Sequence, residues 1–329
     1  MPELPEVETI RQDLRKKILN TKIIRVQIYH STSVARRDKD FVKALTGNQI
    51  KEIDRRGKLM IWRLRNPSPV RGGTVGGVLL VHLKMTGQLI YEKETRKKIE
   101  ILAGGHKLSE RDIERLPNQW TRIVFVFADG SQLFFNDLRL FGYIKLASRE
   151  EVERVLNKYG PEPIQTSPPV LPFANGRKNR DPLLGKGEGR ERSRQLFTLA
   201  YFSALFPKRK NTNLKALLLN QELIAGLGNI YVDEVCFGAG VRPSRRVGSI
   251  TKLEQQKLFS CIPKILSEAI KHRGTTFRNF LDSSGKKGNY TDFLKVYDRD
   301  GKPCKRCGSV IKKIVAAGRG THYCPKCQR

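Results

Sequence analysis

Met1-Pro2-Glu3-Leu4-Pro5-Glu6-Val7-Glu8 opens the chain, and the fold is read outward from it. From Pro5 the apolar positions Val7, Ile10, Leu14 and Ile18 recur at helical spacing with Arg, Lys and Asp between them, which predicts an amphipathic helix ending near Asn20. Pro5 suits the first helical turn and Glu6 complements the helix dipole. Such a helix holds the residues ahead of it at a fixed place. Once processing removes Met1, Pro2 presents a secondary amine beside the Glu3 carboxylate. An α-amino group titrates at about 7.7 to 8.0, so a useful fraction can attack an electrophilic carbon. A proline amine then forms an iminium, cationic without further protonation, which draws electrons from the carbon it holds. The alternative is that Pro2 is a common start and Pro5-Glu6 only opens a helix. These residues alone leave both readings open.

Composition narrows the choice. With 63 Lys+Arg against 32 Asp+Glu, the formal net charge is +31 and the pI about 10.2, a field that points to a polyanionic partner. A 39% hydrophobic content with 15 Phe is enough for real cores, and 329 residues suggest two or more domains. No segment reaches the roughly 18 uncharged apolar residues of a membrane span, and the N-terminus lacks a signal-peptide core. The expectation is a soluble, cytoplasmic protein with no membrane partner.

After the helix come β-like runs at Ile23 to Tyr29, Gln49 to Leu64, Val78 to Tyr91, and a pair, Arg122 to Phe127 and Gln132 to Phe135, joined through Asp129-Gly130. An Asp-Gly step is a strong hairpin signal. Several short strands after one helix predict a β-sandwich carrying that helix at an edge. Glu92 to Gln119 reads as polar and irregular, and Pro163 to Arg194, rich in Pro, Gly, Arg and Lys, as a flexible linker. Phe197 to Phe206 is apolar enough to pack, with no evident partner. From Leu214 to about His272 the pattern is helical, broken at Gly226-Leu227-Gly228-Asn229 and again around Gly238 to Pro243. The whole is an α+β, multi-domain chain without internal repeats.

Cys304-x2-Cys307, sixteen residues, then Cys324-x2-Cys327 has the spacing of a four-thiolate site for one structural Zn2+. Disulfides or a redox couple are the alternatives. The first is disfavoured without a secretion signal, and a redox motif needs no second pair. Cys236 and Cys261 sit in apolar, helical surroundings and read as core residues, and His322 as a neighbour of a shell already filled by four Cys. A module this small folds on its metal, so its function lies in what it displays. Lys312, Lys313 and Gly318-Arg319-Gly320-Thr321 offer a cation flanked by glycines, suited to a phosphate or equally to a solvated turn.

Together these motifs resemble the formamidopyrimidine-DNA glycosylase family of base-excision repair enzymes. The resemblance is carried by Pro2-Glu3-Leu4-Pro5-Glu6-Val7-Glu8, by Asn220 to Pro243 with Gly226-Leu227-Gly228-Asn229-Ile230-Tyr231, which is similar to a helix-two-turn-helix, and by Gly318-Arg319-Gly320-Thr321 to Gln328, similar to the family's zinc finger. It implies four parts: an N-terminal catalytic β-sandwich over 1–150, a linker with a basic insertion over 151–212, a helix-two-turn-helix DNA-binding domain over 213–295 and a zinc finger over 296–329. The implied activity is a bifunctional glycosylase and AP lyase that excises oxidised purines (8-oxoguanine, formamidopyrimidines) from double-stranded damaged DNA, working as a monomer.

The resemblance also assigns roles. Pro2 attacks C1′ of the damaged nucleotide and holds the opened sugar as an iminium; Glu3 protonates the ring oxygen; Lys58, on the Arg55-Arg56-Gly57-Lys58 turn, assists as a cationic acid. The iminium acidifies C2′, so the strand is cut by β- and δ-elimination, with Arg319 at the flanking phosphates. Chemistry at C1′ needs the nucleotide out of the stack, and Met85, Arg139 and Phe141 fill the space it leaves. Asn229 and Lys210 contact the backbone of DNA, and Lys210 and Lys215 lie on the approach to the two-turn motif. Two departures stand out. Pro117-Asn118-Gln119-Trp120-Thr121-Arg122 replaces the family's His-containing DNA contact, with Arg122 a candidate substitute. Insertions at about 92 to 118 and 163 to 206 have no family counterpart. Lesion choice is expected to depend on the Gly-rich loop Ser283 to Tyr290. The rivals are a non-catalytic zinc-containing DNA-binding protein on the same scaffold and an endonuclease VIII-like glycosylase for oxidised pyrimidines.

Overall fold

The computed structural model describes residues 2–34, 38–69, 75–94, 99–105, 115–164, 166, 196–275 and 290–329. Met1, most of the 163 to 194 linker and all of the Ser283 to Tyr290 loop except Tyr290 lie outside the described residues. The chain divides into two compact units: one holds the described residues up to Leu156 and residues 273–275, the other the remainder.

In the first unit, helix α1 (Leu4–Ile18) buries the predicted face through Val7, Ile10, Leu14 and Ile18. The left-handed backbone of Asn20 (φ 60°) turns the chain into the first strand. Two antiparallel sheets follow. One runs β1 (Ile23–Ile28), β7 (Thr121–Phe127), β8 (Gln132–Asp137), β5 (Gly87–Glu94), β6 (Ile99–Gly105) in that order; the other runs β2 (Ile50–Arg56), β3 (Leu59–Pro69), β4 (Val75–His82), β9 (Tyr143–Ser148). A single apolar core joins them, with Ile53, Trp62, Leu79 and Val81 from one sheet, Leu89, Ile123, Phe125 and Phe135 from the other, and the buried stripe of α1. The Trp62 and Phe125 rings meet at 6.4 Å between centroids. The expected β-sandwich with its terminal helix is the observed architecture.

The structure corrects several boundaries. Gln49 to Leu64 is two strands reversing at Gly57-Lys58, inside the turn read at Arg55 to Lys58, and Val78 to Tyr91 is two strands that part at residues 83–86 into different sheets. Residues 92 to 119 are not uniformly irregular: β5 continues to Glu94, and β6 pairs with it antiparallel from Gln88↔Gly105 to Glu94↔Ile99. That strand is short and apolar, Ile-Glu-Ile-Leu-Ala-Gly-Gly, and pairs with the strand just before it; the charged residues on either side of it in the sequence mask it. Helices α2 (Asp38–Leu45) and α3 (Arg149–Leu156) and strand β9 were not anticipated. The Asp129-Gly130 hairpin joins β7 to β8 with Gly130 at φ 81°.

The second unit is helical. Phe197 to Phe206 forms helix α4 (Leu199–Lys208) and its approach, and its partner is Phe259: Phe197 stacks on that ring at 5.1 Å and Phe202 packs on it at 6.1 Å. Phe259 belongs to α7 (Lys252–Lys271), which starts in a capping box of Thr251 and Glu254. Between them lie α5 (Leu214–Leu219) and α6 (Asn229–Ala239), the latter stopped by Gly240 in the left-handed region (φ 74°). The breaks fall where the sequence places them. A two-stranded hairpin, β10 (Lys312–Ala316) with β11 (Arg319–Tyr323), completes the unit. Among the described residues no helix is long and apolar enough to cross a membrane.

Candidate active site and nucleic-acid interface

The N-terminus is built into the first unit by Glu6. Its Oε2 accepts the Glu3 N–H at 2.8 Å, while Oε1 accepts the Thr275 N–H at 2.8 Å and the Thr275 hydroxyl at 3.1 Å. Gly274, at φ 76°, lies so close that a Cβ would come within 2.6 Å of Glu6 Oε1. Pro2 is buried, and Glu3 is only 1% exposed. The Glu3 carboxyl is thus enclosed next to Pro2 and shielded from water.

Lys58 occupies the β2–β3 turn, where Gly57 takes φ 59°. At 8% exposure it is no ordinary surface lysine. The turn is tied to α1 through Arg55, whose Nη1 donates to the Gly57 carbonyl at 2.8 Å and whose Nε donates to Glu8 Oε2 at 3.0 Å. Glu8 also receives Arg11 at 2.7 and 3.0 Å and Gln12 at 2.8 Å. Burial pushes the Glu8 carboxyl up, but the hydrogen bond from Arg11 and the charges of Arg55 and Arg11 outweigh it, and the net displacement is downward. One helix therefore anchors both the terminal residues, through Glu6, and the Lys58 turn, through Glu8.

Two turns carry the expected void-filling residues. Gly87 pairs with Asp137 at the end of the β5–β8 ladder, so the turn carrying Met85 and the turn carrying Arg139 lie at the same end of that strand pair. Met85 is half-buried and Phe141 is 53% exposed; the Arg139 guanidinium stands 4.9 Å from the Phe141 ring centroid. Arg122 donates to the carbonyls of Asp137 (2.8 Å) and Gln119 (3.2 Å), so it braces this turn. His82 pairs with Leu59, next to Lys58, and is held neutral: burial, with the charges of Lys84 and Lys58, lowers its pKa to about 3. Its Nδ1 accepts the Lys84 N–H at 3.0 Å, which leaves the proton on Nε2.

In the second unit, Asn229 begins α6 and gives an amide proton to the Gly320 carbonyl at 3.1 Å. Lys210 is exposed at the end of α4. Lys215, on the approach to the two-turn motif, is fully buried: Nζ meets Asp233 Oδ1 at 2.6 Å, the Thr321 hydroxyl at 2.8 Å and the Gly320 carbonyl at 3.2 Å. The other Asp233 oxygen accepts the His322 N–H at 2.8 Å, so His322 is a buried neighbour of the finger, as expected, and not a fifth ligand. These bonds fasten β11 to α5 and α6 and present Arg319, exposed just beyond the Ala317-Gly318 turn (φ 52° and 68°). Glu234 does similar work, accepting the N–H groups of Lys295, Val296 and Tyr297 at 2.9 to 3.1 Å. Asp233 and Glu234 were missed by sequence reasoning, since no local signal marks a carboxylate whose partners lie far along the chain.

The four thiols of Cys304, Cys307, Cys324 and Cys327 lie within 4.8 Å of one another, with Cys304–Cys327 at 3.9 Å and Cys307–Cys324 at 3.4 Å. Zn–S bonds of about 2.3 Å in a tetrahedron require S···S edges of roughly 3.8 Å. The Arg306 and Cys327 N–H groups point at Cys304 and Cys324 sulfur at 3.4 Å, the second-shell bonds of zinc knuckles. The donor set fits one structural zinc. Cys236 is fully buried in the helical core, with its thiol pushed up by burial, and Cys261 is half-buried.

A β-sandwich ending in an enclosed proline and carboxyl, a helical unit broken by Gly-Leu-Gly-Asn, and a four-thiolate finger displaying an arginine define a zinc-finger DNA glycosylase. Residues 1–144 match the formamidopyrimidine-DNA glycosylase N-terminal domain, residues 189–280 its helix-two-turn-helix domain, and residues 301–329 the zinc finger found in that enzyme and in isoleucyl-tRNA synthetase. The formamidopyrimidine-DNA glycosylases of Heliobacterium modesticaldum (35% identity, all of both chains) and Pelotomaculum thermopropionicum (33%, 100% of this chain and 99% of the relative) are similar throughout. Among solved structures, the Lactococcus lactis enzyme in complex with abasic-site DNA matches with a TM-score of 0.75 at 31% identity, and its G226P variant with DNA containing a formamidopyrimidine with 0.74 at 32%, each covering all of both chains. The chain belongs to the formamidopyrimidine-DNA glycosylase family.

Proposed function

We propose that this protein is a bifunctional glycosylase and AP lyase that binds damaged double-stranded DNA as a monomer, extrudes an oxidised purine nucleotide and excises its base through the Pro2 amine. The observation that carries the reading is the enclosure of Glu3 beside Pro2, held by the Glu6 bridge to Glu3 N–H and Thr275. The Pro2 nitrogen attacks C1′, the glycosidic bond breaks and the base leaves with its electron pair. Glu3 protonates the sugar ring oxygen as the ring opens to an iminium. Loss of a C2′ proton expels the 3′ phosphate, and a second elimination expels the 5′ phosphate. Lys58 assists as a cationic acid, Arg319 neutralises the flanking phosphates, and Asn229 and Lys210 hold the backbone. The division into sandwich, linker, helix-two-turn-helix and finger at 150, 212 and 295 belongs to the same proposal.

The test is incubation with duplex DNA carrying 8-oxoguanine opposite cytosine in the presence of borohydride. A covalent adduct is expected with the mature protein and none with Pro2→Gly. An adduct only with oxidised pyrimidines transfers the assignment to an endonuclease VIII-like specificity, and no adduct with any lesion leaves a DNA-binding protein without chemistry.

A further inference from the structure

Asp137 is fully buried, and both carboxylate oxygens are engaged at the base of the turn that carries Arg139 and Phe141. Oδ2 accepts the Gly142 N–H at 2.6 Å; Oδ1 accepts the Arg139 N–H at 3.2 Å and also the hydroxyl of Thr86. Thr86 Oγ1 in turn accepts the same Arg139 N–H at 3.1 Å. Capping of its own turn explains the two backbone bonds of Asp137. It does not explain the third, which reaches across 51 residues to the turn of Met85.

The two turns are built alike. Lys84 directly precedes Met85 at φ 51°, and Leu140 directly precedes Phe141 at φ 59°. L-residues avoid this region, and such conformations persist where the surroundings over-determine them. Each turn also ends on a glycine with no room for a side chain. A Cβ on Gly87 would lie 2.5 Å from the Leu83 carbonyl, and one on Gly142 would lie 3.0 Å from Asp137 Oδ2 and 2.9 Å from Phe135. Arg122 adds a third brace at the Asp137 carbonyl. A 53% exposed Phe stacked on an Arg would gain rotamer freedom if its turn were loose, so holding that turn serves whatever the pair enters.

We propose that Thr86 and Asp137 form a positioning clamp that locks the Met85 turn to the Arg139–Phe141 turn, so that the three side chains enter the space of the extruded nucleotide at one fixed spacing. The inference rests on the void-filling roles given to Met85, Arg139 and Phe141 above. Neither clamp residue touches the reacting atoms; the clamp governs how the orphaned base is read, not the chemistry at C1′.

Thr86→Val keeps the side-chain volume and removes both the donor and the acceptor, while Thr86→Ser restores the hydroxyl. Asp137→Asn leaves one oxygen for three donors and is the harsher change. Three measurements separate the roles: 2-aminopurine fluorescence beside the lesion for void filling, excision of 8-oxoguanine opposite cytosine against adenine, and borohydride trapping at a preformed abasic site. Losing a hydrogen bond to a charged group predicts a void-filling equilibrium weakened roughly ten- to hundredfold in Thr86→Val, with the cytosine-over-adenine preference reduced in step. Trapping at the abasic site should stay within about threefold of the wild type, the range of a change that leaves the reacting groups in place. Thr86→Ser should recover at least most of the preference. Wild-type behaviour of Thr86→Val, or an equal loss in all three assays, overturns the clamp even if Asp137→Asn fails to fold. Absence of any adduct with the wild type overturns the glycosylase reading instead.

Discussion

Lys215 Nζ lies 2.6 Å from Asp233 Oδ1 with both side chains completely buried, and the same ammonium reaches the Thr321 hydroxyl, 106 residues further along the chain. The pair therefore couples α5 and α6 to the finger hairpin whose turn presents Arg319. Desolvating two charges offsets much of their attraction, so the pair adds little net stability, but removing one partner strands the other in the interior.

Lys215→Ala should accordingly lower the unfolding free energy by about 3 to 5 kcal/mol, while a paired replacement by apolar residues of similar volume should be far milder. Urea denaturation of the two variants tests this. A single variant as stable as the wild type would show that the bond Asp233 already accepts from His322 is enough to hold it.

The Glu8 carboxylate makes stability pH-dependent in a defined sense. Its folded pKa lies below the ordinary value of 4.5, because Arg11 and Arg55 outweigh the opposing effect of burial. A depressed acid contributes stability that is fully present above the unfolded pKa and is lost as pH falls through the folded one. The urea midpoint should thus fall with pH below about 4.5, and Glu8→Gln should flatten that part of the profile. The same substitution leaves Arg55 without its carboxylate, so the Lys58 turn should loosen and excision should slow even at neutral pH. An unchanged acid limb in Glu8→Gln would assign the dependence to other carboxylates.

Zinc removal tests the finger by itself. The module has only a small apolar cluster around Phe237, Val296, Cys304, Ile311 and Cys324, too little to order 30 residues without metal. Chelation, or Cys304→Ser, should release one zinc per chain by mass spectrometry. DNA affinity should fall about as much as in Arg319→Ala, with the salt slope reduced by close to one phosphate contact. Fluorescence of the Trp62 core in the other unit should be unchanged.

What the sequence made legible follows from how local each determinant is. The apolar stripe Val7, Ile10, Leu14 and Ile18, the Asp129-Gly130 turn and the two Cys pairs each sit within a few residues of their structural consequence, and all three appear as read. Strand β6 escaped because its pairing with Gln88 to Glu94 is invisible to composition, and the bonds are backbone ones. The buried role of Lys215 is hidden for a related reason: in a chain with 63 basic residues nothing local separates a cation on the surface from one buried on Asp233. The catalytic roles proposed for Pro2, Glu3 and Lys58 come from the resemblance alone, and the contacts that hold those residues in place are long-range: Glu6 to Thr275 across 269 residues and Glu8 to Arg55 across 47.

Those supports also decide what happens when the terminus is altered. Glu3 N–H is fixed on Glu6, Glu6 is fixed on Thr275, and Gly274 leaves no slack around the carboxylate. Pro2 has therefore little freedom to retreat and make room, so a residue retained ahead of it turns the amine into an amide and places that residue where the sugar must approach. Such a protein should still bind DNA containing an abasic analogue through the void-filling residues and Arg319, with affinity within about threefold of the mature form, because binding surfaces away from the terminus are unaltered. It should give no borohydride-trapped adduct and no strand cleavage. The comparison needs only gel-shift titration and trapping on the same duplex, with terminal residues verified by mass spectrometry. Turnover at the normal rate by the extended chain would exclude Pro2 as nucleophile and return attention to the buried Lys58.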